Sequence, residues 1–126
     1  MSIDRTIELL QAATGPSRSL DVAIATAIGW RKSVKKVRDA NGQMKDVAVW
    51  IVPNSNDIGK MPLYSGNLQH ALELAEQIAP DNVGGCSWED GLGSARIDAG
   101  PYFQACNPQI ALCMAALHHL KSNEAP

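Results

Sequence analysis

The residues best suited to chemistry in this sequence favour anion binding over catalysis. Five cations fall within eight residues, from Arg31 to Arg38, in a chain whose formal net charge is −2. Such a cluster can bind phosphate groups through charge-assisted hydrogen bonds. It is also typical of an edge strand whose charges prevent association with other sheets, and the clustering favours this structural explanation.

The polar segment 54–66 offers a second set of candidate side chains. The Tyr64 ring could stack on a base, and the Ser65 hydroxyl could donate to a phosphate. Alternatively, Tyr64 anchors the loop to the core, while Ser65 or Asn67 caps the following helix. A segment of this length between regular elements is often functional or mobile.

Tryptophans and glycine-rich turns complete the set of candidates. Trp30 and Trp88 lie at segment ends and could line a pocket or cover the edge of a core, whereas Trp50 is predicted to be core. The glycines between 84 and 93 are not followed by Gly-Lys-Ser/Thr, so hairpin turns explain them better than a P-loop. Arg96 and Asp98 should project from one strand face. The predicted ligand-binding residues are Arg31, Lys35, Tyr64, Ser65, Trp88 and Arg96.

The cysteines and histidines do not form a recognisable catalytic or metal-binding pattern. Cys113 lies in an apolar helical segment and should pack in the core. The adjacent His118 and His119 should point about 100° apart on a helix, which does not suit joint coordination of a metal. The sequence therefore predicts no catalytic residue, no metal site and no cofactor.

Length and composition predict one small domain in a reducing compartment. The chain has 126 residues, of which 45% are hydrophobic and 19% charged. No run approaches the roughly 20 apolar residues of a membrane span. Three cysteines without paired spacing are typical of free thiols in a cytosol. We expect neither a membrane partner nor strong nucleic-acid binding.

Apolar periodicity predicts an α+β fold with the order ααββαββα, in which helices pack on a small antiparallel sheet as a helix–sheet–helix sandwich. The predicted elements are helices at 3–13, 20–28, 67–79 and 107–120, a hairpin at 33–53, and short strands at 86–89 and 94–98.

Three further expectations concern how these elements are used. The strand after Asn41-Gly42 is apolar on both faces, which predicts a central strand covered on two sides. Ser19 should cap the second helix. Residues 1–16 are predicted to form a helical arm that is mobile or makes an oligomer contact, 17–121 the sandwich domain, and 122–126 a fraying tail.

Several motifs resemble the phage ABA-sandwich domain family. They are Ile7-x-x-Leu10-x-x-Ala13-Thr14-Gly15-Pro16, Leu20-Asp21-x-x-Ile24-Ala25-x-x-Ile28-Gly29-Trp30, Pro62-x-Tyr64-Ser65-x-x-Leu68-x-x-Ala71-Leu72 and Asn107-Pro108-x-x-Ala111-Leu112-Cys113-x-Ala115-Ala116-Leu117. The matches span residues 7 to about 120, and the basic hairpin at 31–53 departs from the pattern. The resemblance implies a helix–sheet–helix sandwich in a phage setting, and it implies no particular activity.

These observations lead to one functional expectation and two alternatives. The first is a non-enzymatic phage or prophage protein in the bacterial cytosol that acts against host defence, either by sequestering a nucleotide-type immune signal or by blocking a host defence protein. The second is a structural module whose helix 107–120 and N-terminal helix form a homo-oligomer interface. An enzyme acting on the same signals ranks third, because all three histidines are predicted on helices.

Overall fold

The computed structural model describes the backbone of residues 2–124 and the side chains of residues 2–123. Four helices and six strands follow in the order ααβββαβββα, so the predicted α+β class is confirmed. The helices are α1 (Ile3–Ala12), α2 (Arg18–Ala27), α3 (Leu68–Ile78) and α4 (Pro108–Glu124). The strands are β1 (Arg31–Arg38), β2 (Met44–Ile51), β3 (Ile58–Gly59), β4 (Gly84–Glu89), β5 (Leu92–Ile97) and β6 (Phe103–Ala105).

Side-chain caps determine where all four helices begin, and in α1 the Ser2 hydroxyl accepts from the Arg5 N–H. The Asn67 side chain accepts a hydrogen bond from the His70 N–H, and the Asn107 side chain accepts one from the Ile110 N–H at 2.8 Å. The cap of α2 is Ser17, whose hydroxyl accepts from the Leu20 N–H, so the expectation of a cap at Ser19 was wrong. Pro16 stands directly before Ser17, and the chain turns into the helix two residues earlier than its apolar stripe indicates.

The strands form two separate three-stranded antiparallel sheets, in the orders β1-β2-β3 and β4-β5-β6. The sequence predicted a single sheet of four strands and missed β3 and β6, which have only two and three residues. Strands this short carry too few residues to show an alternating pattern.

The sequence predicted that β2 is covered on both faces, and this prediction was wrong. Val47 and Val49 are only half-buried, and Met44 is 56% exposed. The reason is the shortness of β3, which pairs only with Trp50 and Ile51 at the end of β2, so that the rest of the hairpin extends beyond it. Trp50 is half-buried against the margin of the core and does not lie inside it.

The core lies between α4 and the second sheet, with α1 and α3 packed against α4. Residues 110–117 of α4 are all buried, which confirms the expectation from their continuous apolar run. Gly93 of β5 permits this packing, because a Cβ at that position would lie 2.2 Å from the carbonyl carbon of Asn107. Helix and sheet are thus in close backbone contact at the start of α4.

The N-terminal helix is part of this core and does not form a free arm. Thr6 and Leu10 are fully buried, and α1 contacts α2, α4 and β6. The Lys121 ammonium pairs with the Asp4 carboxylate at 2.6 Å, which joins the two ends of the described chain. The predicted tail is helical up to Glu124, and the remainder of that prediction lies outside the described residues.

Candidate ligand-binding site

Arg96 of β5 lies in an open depression on the face of the second sheet that points away from α4. Its Nε donates to the Gly100 carbonyl at 2.8 Å, and its Nη1 lies 3.2 Å from the Tyr102 hydroxyl. The guanidinium carbon is 4.7 Å from the centroid of the Tyr102 ring, within the range of a cation–π contact. These contacts hold the cation at one place on an otherwise exposed sheet face.

Strand register explains why Tyr102 reaches Arg96. Ala95 is paired with Phe103, so the next residues towards the turn, Arg96 and Tyr102, face each other across β5 and β6. The turn between them is closed by the Gly100 N–H, which donates to the Ile97 carbonyl at 3.0 Å. Tyr102 remains 70% exposed, so one face of its ring is open to a planar partner.

The depression has a volume of about 350 Å³ and a lining of small residues around the arginine. Ser87 and Ser94 are paired across β4 and β5, and Gly85 is the cross-strand neighbour of Arg96. Absence of a side chain at Gly85 leaves space beside the guanidinium. The depression therefore offers a cation, two hydroxyl groups and an aromatic face.

The Arg96 charge is not neutralised within the described residues. No carboxylate there lies within ion-pair distance of it, although Asp98 also lines the depression. The Asp98 carboxylate accepts from the Val83 N–H at 3.0 Å and from the Asn82 amide, which fixes the start of β4. A guanidinium has five N–H donors, and protein groups use only two of them here.

Tyr64 and Ser65, predicted as ligand contacts, are core residues. Their exposed fractions are 4% and 1%, so a ligand cannot reach them in this conformation. Burial raises the pKa of Tyr64 to about 12. The Ser65 hydroxyl donates to the Asp21 carboxylate at 2.7 Å, and its N–H donates to the same oxygen at 2.8 Å. The structural explanation, in which the loop is anchored to the core, is the one observed.

The Asp21 carboxylate is the centre of this anchor. Besides Ser65, it accepts from the Arg18 guanidinium at 2.9 Å, and Arg18 also donates to the carbonyls of Met61 and Pro62. The segment 54–66 is thereby joined to α2 by the buried Ser65 and Asp21 and the half-exposed Arg18, and no buried side-chain nitrogen or oxygen among the described residues lacks a partner. The long loop is held in place at its C-terminal end.

The other predicted residues lie apart from the depression. Arg31 and Lys35 are exposed on β1 in the first sheet, where Arg31 donates to the Ser55 carbonyl at 2.5 Å. Trp88 is 72% exposed on β4, but its cross-strand neighbour is Gly93, which faces α4. Trp88 and Arg96 are therefore on opposite faces of one sheet. Of the six predicted residues, only Arg96 lines this depression.

The thiol of Cys113 and the imidazoles of His118 and His119 have structural contacts. Cys113 is fully buried, its thiol lies 3.7 Å from the Tyr64 carbonyl, and burial raises the pKa of this thiol. The His118 ring packs against Phe103 with centroids 5.4 Å apart, and His119 contacts Asn123. Within residues 2–123, no three His, Cys, Asp or Glu side chains are grouped as metal ligands would be. No described helix has the length and apolar character of a membrane span.

The sequence analysis missed Tyr102. The signal that could have found Tyr102 is the turn Asp98–Pro101. This turn folds the chain back, so that the residue six positions after Arg96 becomes the neighbour of Arg96. No protein-family model matches this chain, and no curated protein or solved structure is significantly similar to it. The resemblance to the phage ABA-sandwich domain family stays a prediction from the motifs.

Proposed function

We propose that the protein acts by binding, and that the Arg96–Tyr102 depression holds a small phosphate-bearing ligand of the nucleotide class. The observation that carries this proposal is the Arg96 guanidinium, oriented by Gly100 and Tyr102 yet without a carboxylate partner among the described residues. Guanidinium groups bind phosphate oxygens in bidentate geometry, and the open Tyr102 ring can stack on a base.

The chemistry of the depression supports binding without turnover. Its side chains provide positive charge, hydroxyl groups and an aromatic face, which recognise a phosphate and a base. In the phage setting that the motifs imply, we propose that such a protein sequesters a nucleotide immune signal in the bacterial cytosol. The three thiols, none of which forms a disulfide, agree with this compartment.

A thermal-shift screen against cyclic dinucleotides, ADP-ribose derivatives and simple dinucleotides tests the proposal. A ligand at a hundredfold excess over its Kd adds about 2.7 kcal/mol to the free energy of unfolding, which gives a clear rise in Tm. The bound compound should be recovered chemically intact after denaturation. Recovery of a cleaved product would replace binding by catalysis, and no shift with any compound would overturn the proposal.

Two matched variants locate the site. We expect Arg96→Gln to abolish the shift, because it removes the phosphate-binding cation, and Arg31→Gln to leave it unchanged. Both arginines donate to backbone carbonyls, so the pair controls for loss of a guanidinium as such. If Arg31→Gln abolished the shift and Arg96→Gln did not, the binding site would lie on the basic hairpin that the sequence first indicated.

A further inference from the structure

The two long outer strands of the sheets differ in how they are protected from pairing. β1 carries five cations, which discourage another strand from adding to its edge. β4 is the outer strand of the second sheet, and its residues 84–88 include no charge and no proline. Five of its six residues are exposed. An unprotected edge of this kind is a template for another strand.

The direction of the backbone groups shows which residues of β4 are free to pair. The Asp98 N–H donates to the Val83 carbonyl at 2.7 Å, so the backbone groups of Val83 point towards β5. Because antiparallel ladders alternate, the N–H and C=O groups of Gly84, Cys86 and Trp88 point towards the free edge. Three successive positions can therefore each donate and accept one hydrogen bond.

The face of β4 that points towards α4, here called its inner face, carries a projecting side chain and a groove. Trp88 lies on this face with 72% of its surface exposed. Four residues earlier, Gly84 leaves a gap beside α3, and a groove of about 210 Å³ opens there. A cavity of about 150 Å³ accommodates benzene, so the groove is large enough for an aromatic side chain. Its lining is mainly apolar and includes Leu72, Val83 and Leu112.

We propose that β4 is a homodimer interface, in which the β4 strands of two copies pair antiparallel about a two-fold axis through Cys86. In this register each Trp88 lies opposite Gly84 of the second copy and enters its groove. All three outward-facing positions of each strand are then hydrogen-bonded. A second copy is the partner that fits, because each copy carries both the projecting indole and the gap at the matching spacing, as a two-fold interface requires.

Neighbouring registers fit less well. Moving the axis to Ser87 would place each Trp88 against Cys86 of the second copy and leave Gly84 without a strand partner. Moving it to Gly85 would place Trp88 opposite Asn82, beyond the end of the strand. Registers with the axis between two residues would put the inner face of one copy beside the outer face of the other.

Molecular mass in solution tests the interface. Sedimentation equilibrium should give twice the 13.5 kDa of one chain for the unmodified protein and one chain for Trp88→Lys. Tyr102→Lys is the matched control, since Tyr102 is equally exposed on the other face, and it should remain dimeric. Leu72→Lys changes the receiving groove and should also give a monomer. A monomeric unmodified protein, or a dimer that survives both Trp88→Lys and Leu72→Lys, would overturn the proposal.

Thiol cross-linking tests the register independently. Hydrogen-bonded antiparallel neighbours have Cα atoms about 5.5 Å apart, which is within the range of about 4.4–6.8 Å for a disulfide. Diamide, which oxidises two thiols to a disulfide and is itself reduced to the hydrazine, should link Cys86 to Cys86 in the dimer. Cys106→Ser should cross-link as the unmodified protein does, and Cys86→Ser should not. A link through Cys106 would overturn the register. The inference does not depend on the proposed ligand, whose binding is tested separately at Arg96.

Discussion

At the residue scale, Asp21 shows how a charged side chain can be structural. It is 2% exposed, and its carboxylate accepts hydrogen bonds from Ser65 and Arg18. Asp21 also belongs to a motif whose resemblance implied a phage setting, and Ser65 belongs to another. In the structure the two motifs are in contact, so their residues hold α2 and the following loop together.

We predict that Asp21→Asn destabilises the protein by about 2 kcal/mol, the usual scale for hydrogen bonds to a charged group. The amide retains the size of the side chain but weakens the bonds from the Ser65 hydroxyl and the Arg18 guanidinium. Urea unfolding measures the change. Asp4→Asn, at an exposed carboxylate paired with Lys121, is the control and should cost less than about 1 kcal/mol. Equal effects of the two changes would contradict the structural role of Asp21.

The buried phenol of Tyr64 predicts loss of stability in strong alkali. Its pKa is raised from 10.0 to about 12 by burial, so between these values the unfolded chain has lost a proton that the folded chain keeps. The free energy of unfolding therefore falls as pH rises through this window. Tyr102→Phe leaves Tyr64 as the sole tyrosine, and its phenolate absorbance should appear near pH 12. Half-ionisation near pH 10 in the folded protein would contradict the burial.

At the element scale, the hairpin of β1 and β2 contributes little to the core. Most of its residues are exposed, and Val34 is 62% exposed. The five cations of β1 predicted a charged edge strand, and the apolar residues on both faces of β2 predicted a covered one. That pattern fixed the strand conformation correctly but could not show whether another layer lies above it.

We predict that the outer part of the hairpin can be removed. Since Ser33 is paired with Val49, replacing residues 34–48 by Asn-Gly keeps the register and closes a shorter hairpin. The free energy of unfolding should change by about 1 kcal/mol or less, the scale of surface changes. Thermal unfolding measures this. Trp30→Ala, which empties a site that is 9% exposed, should cost about 3–5 kcal/mol for comparison. Loss of cooperative unfolding in the shortened protein would show that the hairpin is required.

At the scale of the whole molecule, α4 organises the fold, with α1, α3 and the second sheet packed around it. The oligomer surface that the sequence assigned to α4 and α1 is therefore occupied within a single chain. The exposed apolar side chains lie elsewhere, notably Trp88 on β4 and Leu72 on α3. The proposed dimer would also place both Arg96 depressions on one face of a continuous six-stranded sheet.

We predict that removing residues 1–16 abolishes cooperative unfolding. The deletion uncovers the side of α4 that Leu10 and Thr6 bury, and it leaves an apolar helix face in water. Urea unfolding and binding of a hydrophobic dye measure the result. Lys121→Gln, which removes only the ion pair between the chain ends, should leave cooperative unfolding intact. A truncated protein that unfolds as sharply as the full chain would restore the idea of a separate arm.

The sequence by itself determined the local features of this protein. The caps at Asn67 and Asn107 and the turn at Asn41-Gly42 follow from short-range chemistry. Each depends on residues only a few positions away, so the identities of adjacent side chains are enough to predict it.

Only the tertiary structure decided which candidate residues meet. Tyr64 is buried in the core, whereas Arg96 is only half-buried, because it lies on the face of the second sheet that points away from α4. Tyr102 joins Arg96 because a turn sets the register of β5 and β6. A residue type specifies what a side chain can bind, but its burial and its partners depend on contacts between segments far apart in the chain, which local patterns do not record.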